Sequence, residues 1–247
     1  MRIALLPDIH ANLPALEAVL ADADREGATE AFHLGDLVGY APWPDEVVAL
    51  LRQRGITGVA GNYDSTVASD YAHCGCRYED AEQEAQSHVS YAWTRAHVSP
   101  ATKAHLAALP FRLDLVASGG HLAGPRAILV HGTPTLNTLY WTEDRPDDFS
   151  RKMAAHAGAR AGDLLAFGHT HRPWHRVLDG VQFLNAGSVG RPKDGDWRAS
   201  YALVDLGTAG ITTRVRRVEY DVDRAAAAIR ASELPDAFAL HLERGGA

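Results

Sequence analysis

The chain has 247 residues, 46% of them hydrophobic and 22% charged, with a formal net charge of -7 at pH 7. That length buries a sizeable core without disulfides or structural metals, and the acidic balance argues against a surface built broadly to grip nucleic acid. No apolar run approaches a signal-peptide core or the ~18 residues of a membrane span, so one cytoplasmic domain over residues 1–247 is expected, with no membrane contact and an oligomeric state left open.

In chain order, the apolar stretch at residues 2–6 reads as a strand and gives way to PDIHAN. A helix over residues 13–26 leads to a strand at 31–34 that stops at Gly35 and Asp36. Pro44 opens a second helix over 45–54, which is followed by a strand at 56–60 and then GNYD. Residues 65–109 have a different texture. They lack a convincing strand, carry HCGC and a polar helical stretch over 79–97, and read as a helical insert over whatever the strand ends build. Cys74 and Cys76 are expected to be reduced thiols, because one intervening residue is too close for an ordinary stapling disulfide.

Further strands at 127–130, 163–167 and 181–184 end in HGTP, GHTH and NAGSVG. Two period-2 strands, 200–206 and 211–218, are joined through residues 207–210 as a hairpin, and helices are expected at 223–232 and 235–244. The rhythm is that of an α/β protein. Ligand sites in open α/β sheets lie beyond the carboxyl ends of strands, so six polar strand endings scattered in sequence are expected to share one rim in space.

The residues at those endings include Asp8, His10, Asp36, Asn62, His131, His169 and His171. Carboxylates, imidazoles and an amide oxygen together suit borderline divalent ions such as Mn, Fe, Co, Ni or Zn, whereas an all-oxygen set would favour Mg or Ca. Seven groups exceed one tetrahedral ion but suit two ions that share a carboxylate. Each piece alone has an ordinary structural reading: Gly-Asp commonly makes a turn, and Asn62 fits a helix cap. The ordered set carries the weight.

That order, D-x-H, G-D, G-N-x-D, a lone histidine in HG, then G-H-x-H, resembles the calcineurin-like metallophosphoesterase superfamily, and NAGSVG resembles the loop that follows in its small bacterial phosphodiesterase branch. The resemblance implies a four-layer α-β-β-α sandwich of two mixed sheets. It implies that Asp8, His10 and His171 hold one ion, that Asn62, His131 and His169 hold another, and that Asp36 bridges them, with manganese favoured. It further implies a metal-bridging hydroxide attacking phosphorus in line.

The pattern departs from the family at position 63, where tyrosine stands in place of the usual histidine. Tyr63 is a candidate donor to the leaving group, although its reference pKa of about 10 makes it a weak acid at neutral pH. Asp64 is expected to orient Asn62 or His131. Asn12, Arg191 and Lys193 are candidates for touching phosphate, and His73, Cys74 and Cys76 for reaching the site from the insert. The expected function is phosphodiester hydrolysis on a small substrate, nucleotide diesters among the candidates. The alternatives are a phosphomonoesterase acting on nucleotides or phosphoproteins, and a non-catalytic interaction module on the same scaffold.

Overall fold

The computed structural model describes residues 1–76, 81–117 and 124–246, so residues 79–80 of the expected helix lie outside the described residues. Among the described residues ten strands form two five-stranded sheets. In the first, β1 (Arg2–Leu6) lies at the centre, parallel to β2 (Glu30–His33), which pairs with β3 (Thr57–Gly58). On its other side β1 runs antiparallel to β9 (Ala199–Gly207), which forms the expected hairpin with β10 (Gly210–Val218).

The second sheet has the order β4 (Leu113–Val116), β5 (Arg126–Leu129), β6 (Leu164–Phe167), β8 (Val181–Asn185), β7 (Trp174–Leu178). Its middle three strands are parallel and both edges antiparallel. Both sheets are therefore mixed, as expected.

Side chains alternate across a strand, and the alternation here builds three apolar layers. Ile3 and Leu5 of β1 face Leu129, Leu164, Ala166 and Leu184 between the sheets. Ala4 and Leu6 face outward, under helices α1 (Leu13–Arg25), α2 (Pro44–Gln53), α7 (Val222–Arg230) and α8 (Ala237–Arg244). On the far side Ile128, Val130, Leu165 and Phe167 meet Met153 and Ala157 of α6 (Asp147–Ala157), together with Trp141 and Trp174. Helix, sheet, sheet and helix make the four-layer α/β sandwich.

Residues 65–109 hold three helices among the described residues, with residues 69–76 irregular. They hold most of α3 (Asn62–Ala68), and all of α4 (Ala81–His97) and α5 (Pro100–Ala107). The expectation of separate reduced thiols is corrected: Cys74 and Cys76 form a disulfide. Gly75, at φ +71°, reverses the chain so that the two Cα atoms stand 5.4 Å apart, within ordinary bridging range. Among the described residues no helix is long and apolar enough to cross a membrane.

Candidate metal centre

The carboxyl ends of β1, β2, β5, β6 and β8 meet at one rim, with the loop after β3 beside them. Two triads assemble there, Asp8 with His10 and His171, and Asp36 with His131 and His169, each with ligand-capable atoms within 4.8 Å of one another. All six are buried. Asn62, the first residue of α3, joins the second group with Oδ1 3.1 Å from His131 Nε2. Asp36 lies between the triads: its Oδ2 is 3.7 Å from His10 Nε2 and 3.5 Å from His131 Nε2.

The backbone is strained where these side chains leave it. Asp8, His10, Asp36, His169 and His171 have φ between 47° and 67°, the left-handed region that costs a non-glycine residue about 1–2 kcal/mol. Two glycines make room for the opposed carboxylates. A Cβ on Gly61 would overlap Asp36 Oδ1, and one on Gly168 would overlap Asp8 Oδ2.

The hydrogen bonds determine what the triads can hold. His10 Nδ1 meets Val38 O at 3.0 Å, His171 Nδ1 meets Arg191 O at 2.6 Å, and His131 Nδ1 meets Leu34 O at 2.8 Å. A backbone carbonyl only accepts, so each Nδ1 carries the proton and each Nε2 presents a lone pair. Yet His10 Nε2 and His171 Nε2 face each other at 3.1 Å, and His131 Nε2 faces both His169 Nδ1 and Asn62 Oδ1 at 3.1 Å. The Asn62 amide is turned the same way, its Nδ2 donating to Cys76 Sγ at 3.2 Å.

The lone pairs opposed between His10 and His171, and between His131 and Asn62, need a cation between them. Protons do not meet the need, because burial holds His131 down at about 4 and His10, His169 and His171 well below the usual histidine range. A carbonyl-anchored imidazole is the usual state of a metal-ligating histidine. The residues present fit divalent ions.

The carboxylates shift the opposite way. Burial pushes Asp36 up to about 7, burial and then the Asp36 charge push Asp64 up to about 7, and the same two causes raise Asp8 well above its ordinary value. Below about pH 7 an arriving divalent ion must displace those protons. Affinity is therefore expected to weaken as pH falls through about 7, by about ten-fold per pH unit for each proton released. Calorimetric titration with Mn at pH 8, 7 and 6 reads this directly, and a Kd that does not move with pH contradicts it.

The profile described as the calcineurin-like phosphoesterase superfamily domain matches residues 1–209. The chain belongs to that superfamily. It is accordingly a metal-dependent phosphoester hydrolase, and similar proteins match along most of its length. The protein MJ0912 of Methanocaldococcus jannaschii is 30% identical over 95% of this chain and 94% of its own. Phosphodiesterase YfcE of Escherichia coli is 26% identical over 83% and 88%. A metallophosphoesterase structure from Sphaerobacter thermophilus superposes with a TM-score of 0.75 at 30% identity, covering 99% of each chain. The fold of PH1004 from Pyrococcus horikoshii matches over 100% of this chain and 98% of that one, with a TM-score of 0.81 at 21% identity.

The other sequence candidates of this phosphoesterase separate into those that reach the cavity over the triads and those that do not. Tyr63, Arg191, Lys193 and Cys76 line it. The Arg191 guanidinium is buried and held by rings instead of a carboxylate, 4.1 Å from the centroid of Tyr40 and 5.6 Å from that of Phe238, and its Nε has no hydrogen-bond partner.

Asn12 is absent from the lining. Its Oδ1 caps α1 at Ala15 N, and its Nδ2 donates to Gly190 O at 3.0 Å and to Tyr220 Oη at 3.4 Å. Asp64 also stays below the surface, with Oδ1 accepting from Leu37 N at 2.8 Å and Oδ2 from Gly61 N at 3.0 Å. It ties together the two loops that present Asp36 and Asn62. His73 does not appear in the cavity wall.

NAGSVG contributes no candidate ligand, yet it supports two of them. Asn185 Nδ2 donates to Gly168 O, Ser188 Oγ to Asp8 O, and Gly190 N to Asp8 O. Wall residues that the motifs do not reveal are Tyr40, Gln83, Ser87 and Tyr140. Tyr140 stacks on the His169 ring at 4.6 Å, with the planes 14° apart.

Proposed function

We propose that this phosphoesterase hydrolyses phosphodiesters at a dinuclear centre. One ion takes Asp8, His10 and His171, the other takes Asn62, His131 and His169, and Asp36 serves both. The observation that supports this most is that His10 Nε2 opposes His171 Nε2 and His131 Nε2 opposes Asn62 Oδ1, lone pair to lone pair, with Asp36 within 4 Å of a histidine from each triad. The mixed nitrogen and oxygen donors suit Mn, Fe, Co, Ni or Zn, and manganese is the first ion to load. Such ions would lower the pKa of a water at the centre and neutralise phosphate oxygens.

The chain supplies the remainder. Arg191, fixed over Tyr40, offers its unpartnered Nε–H to a phosphate oxygen, and Lys193 adds a second positive charge. Tyr63 reaches the same cavity beside His10, where its hydroxyl would protonate a departing alkoxide. Residues 65–109 cover one side through Cys76, Gln83 and Ser87 and restrict the substrate to small esters.

Two measurements follow. Metal-stripped protein reloaded with manganese should turn over bis-(p-nitrophenyl) phosphate faster than p-nitrophenyl phosphate. Preference for the monoester would make it a phosphomonoesterase, and no turnover of either with two ions bound would favour a binding role. Tyr63→Phe should slow alkyl esters by about 10²-fold or more while sparing nitrophenyl esters, whose leaving groups need no proton; equal losses would remove Tyr63 from that role.

A further inference from the structure

The cavity directly over the triads is small. Its volume is about 20 Å³, little more than the ~10–15 Å³ that one water centre requires. A phosphoryl group can approach there, but the bulk of an ester has to lie elsewhere. A second cavity of about 250 Å³ adjoins it, sharing Gln83, Tyr140 and Lys193 as common walls.

The chemistry of the second cavity is distinct. Arg172 and Lys193 bring two cations to its wall, and Thr142, Thr170 and Gln83 bring neutral hydrogen-bonding groups. Among the described residues no aspartate or glutamate lines it, in a chain whose acids outnumber its lysines and arginines 31 to 24. Arg172 is anchored by one bond, Nε to Lys193 O at 2.8 Å, and makes no ion pair among the described residues. Most surface arginines here behave otherwise: Arg151, Arg176, Arg198, Arg216 and Arg217 all sit against carboxylates. A guanidinium fixed at one nitrogen, in the wall of a cavity lacking acids among the described residues, is suited to an anion that arrives with the ligand.

We infer that the second cavity is the subsite for one alcohol arm of the diester, and that this arm carries its own anionic group, a phosphate or a carboxylate, which Arg172 and Lys193 bind. The inference rests on the phosphodiesterase reading for the position of the scissile phosphorus. It adds that the substrate is a small diester with at least one further negative charge, and that Arg172 sets this preference.

Binding of non-hydrolysable phosphonates tests it without requiring turnover. Manganese-loaded protein is titrated with ethyl methylphosphonate and with 2-sulfoethyl methylphosphonate, which differ by one sulfonate, a poor metal ligand. The sulfonate should tighten binding by about ten-fold, the worth of one charge-assisted contact. Arg172→Gln should reduce that advantage to about two-fold, and Arg172→Lys should restore part of it.

Equal affinity for the two phosphonates, or an advantage undiminished in Arg172→Gln, overturns the inference. Hydrolysis of bis-(p-nitrophenyl) phosphate, measured separately, decides the catalytic reading. The two ideas can therefore fail independently.

Discussion

Asp36→Ala is expected to abolish turnover, with a loss well beyond the about 10–100-fold that accompanies damage to groups supporting a metal ligand. Its Oδ2 faces a histidine of each triad, while its Oδ1 accepts from Tyr63 N at 2.9 Å. In the proposed centre, removing the carboxylate would take a ligand from both ions, and it frees the start of α3. Metal content should fall with activity, since no other carboxylate stands between the triads among the described residues. Asp36→Asn keeps the shape and one oxygen but not the charge, so it should retain more stability than the alanine variant and little more activity. Full metal content and full rate in Asp36→Ala would remove the bridging role.

Asp64→Ala carries the second large effect, and it acts at a distance from substrate. The carboxylate joins Leu37 N to Gly61 N, so its loss leaves two buried N–H groups unsatisfied, at about 1–3 kcal/mol each. For a chain of this size, at about 2–4 °C per kcal/mol, that corresponds to a Tm lower by roughly 4–24 °C. Because the same two loops present Asp36 and Asn62, activity should fall by about 10–100-fold even at temperatures where the variant is folded. A stability loss with undiminished kcat would confine Asp64 to the fold. Asp64→Asn, which keeps one acceptor, should fall between the two.

The central strands and the metal triads were legible in the sequence for the same reason. Buried strands such as β1 and β6 are continuous apolar runs, and each ends where its polar cargo begins, at PDIH and GHTH. The two strands that periodicity missed, β4 and β7, are the edges of the second sheet. Edge strands are half-buried and carry charge: β4 contains Asp114, and β7 contains His175 and Arg176, so neither shows an apolar run. Helix α6 was missed because its buried face is only Ser150, Met153 and Ala157.

Bringing the triads together required nothing beyond strand ends sharing a rim, a property of the fold class. The cavity walls were a different matter. Tyr40, Tyr140, Gln83 and Ser87 come from loops and from α4, whose placement over the site depends on tertiary packing and not on local pattern. The Cys74–Cys76 pairing depended on the left-handed turn at Gly75, which residue spacing alone does not reveal. Asn12 was assigned toward phosphate by its motif, whereas the structure spends its whole amide on capping α1 and holding the 185–190 loop.

The most direct test of the dinuclear centre is anomalous scattering from a crystal of the manganese-loaded protein. The expected result is two peaks per chain, one ringed by Asp8, His10 and His171, the other by Asn62, His131 and His169, with Asp36 touching both. A single peak, or two peaks of which either lies away from these side chains, would contradict the account.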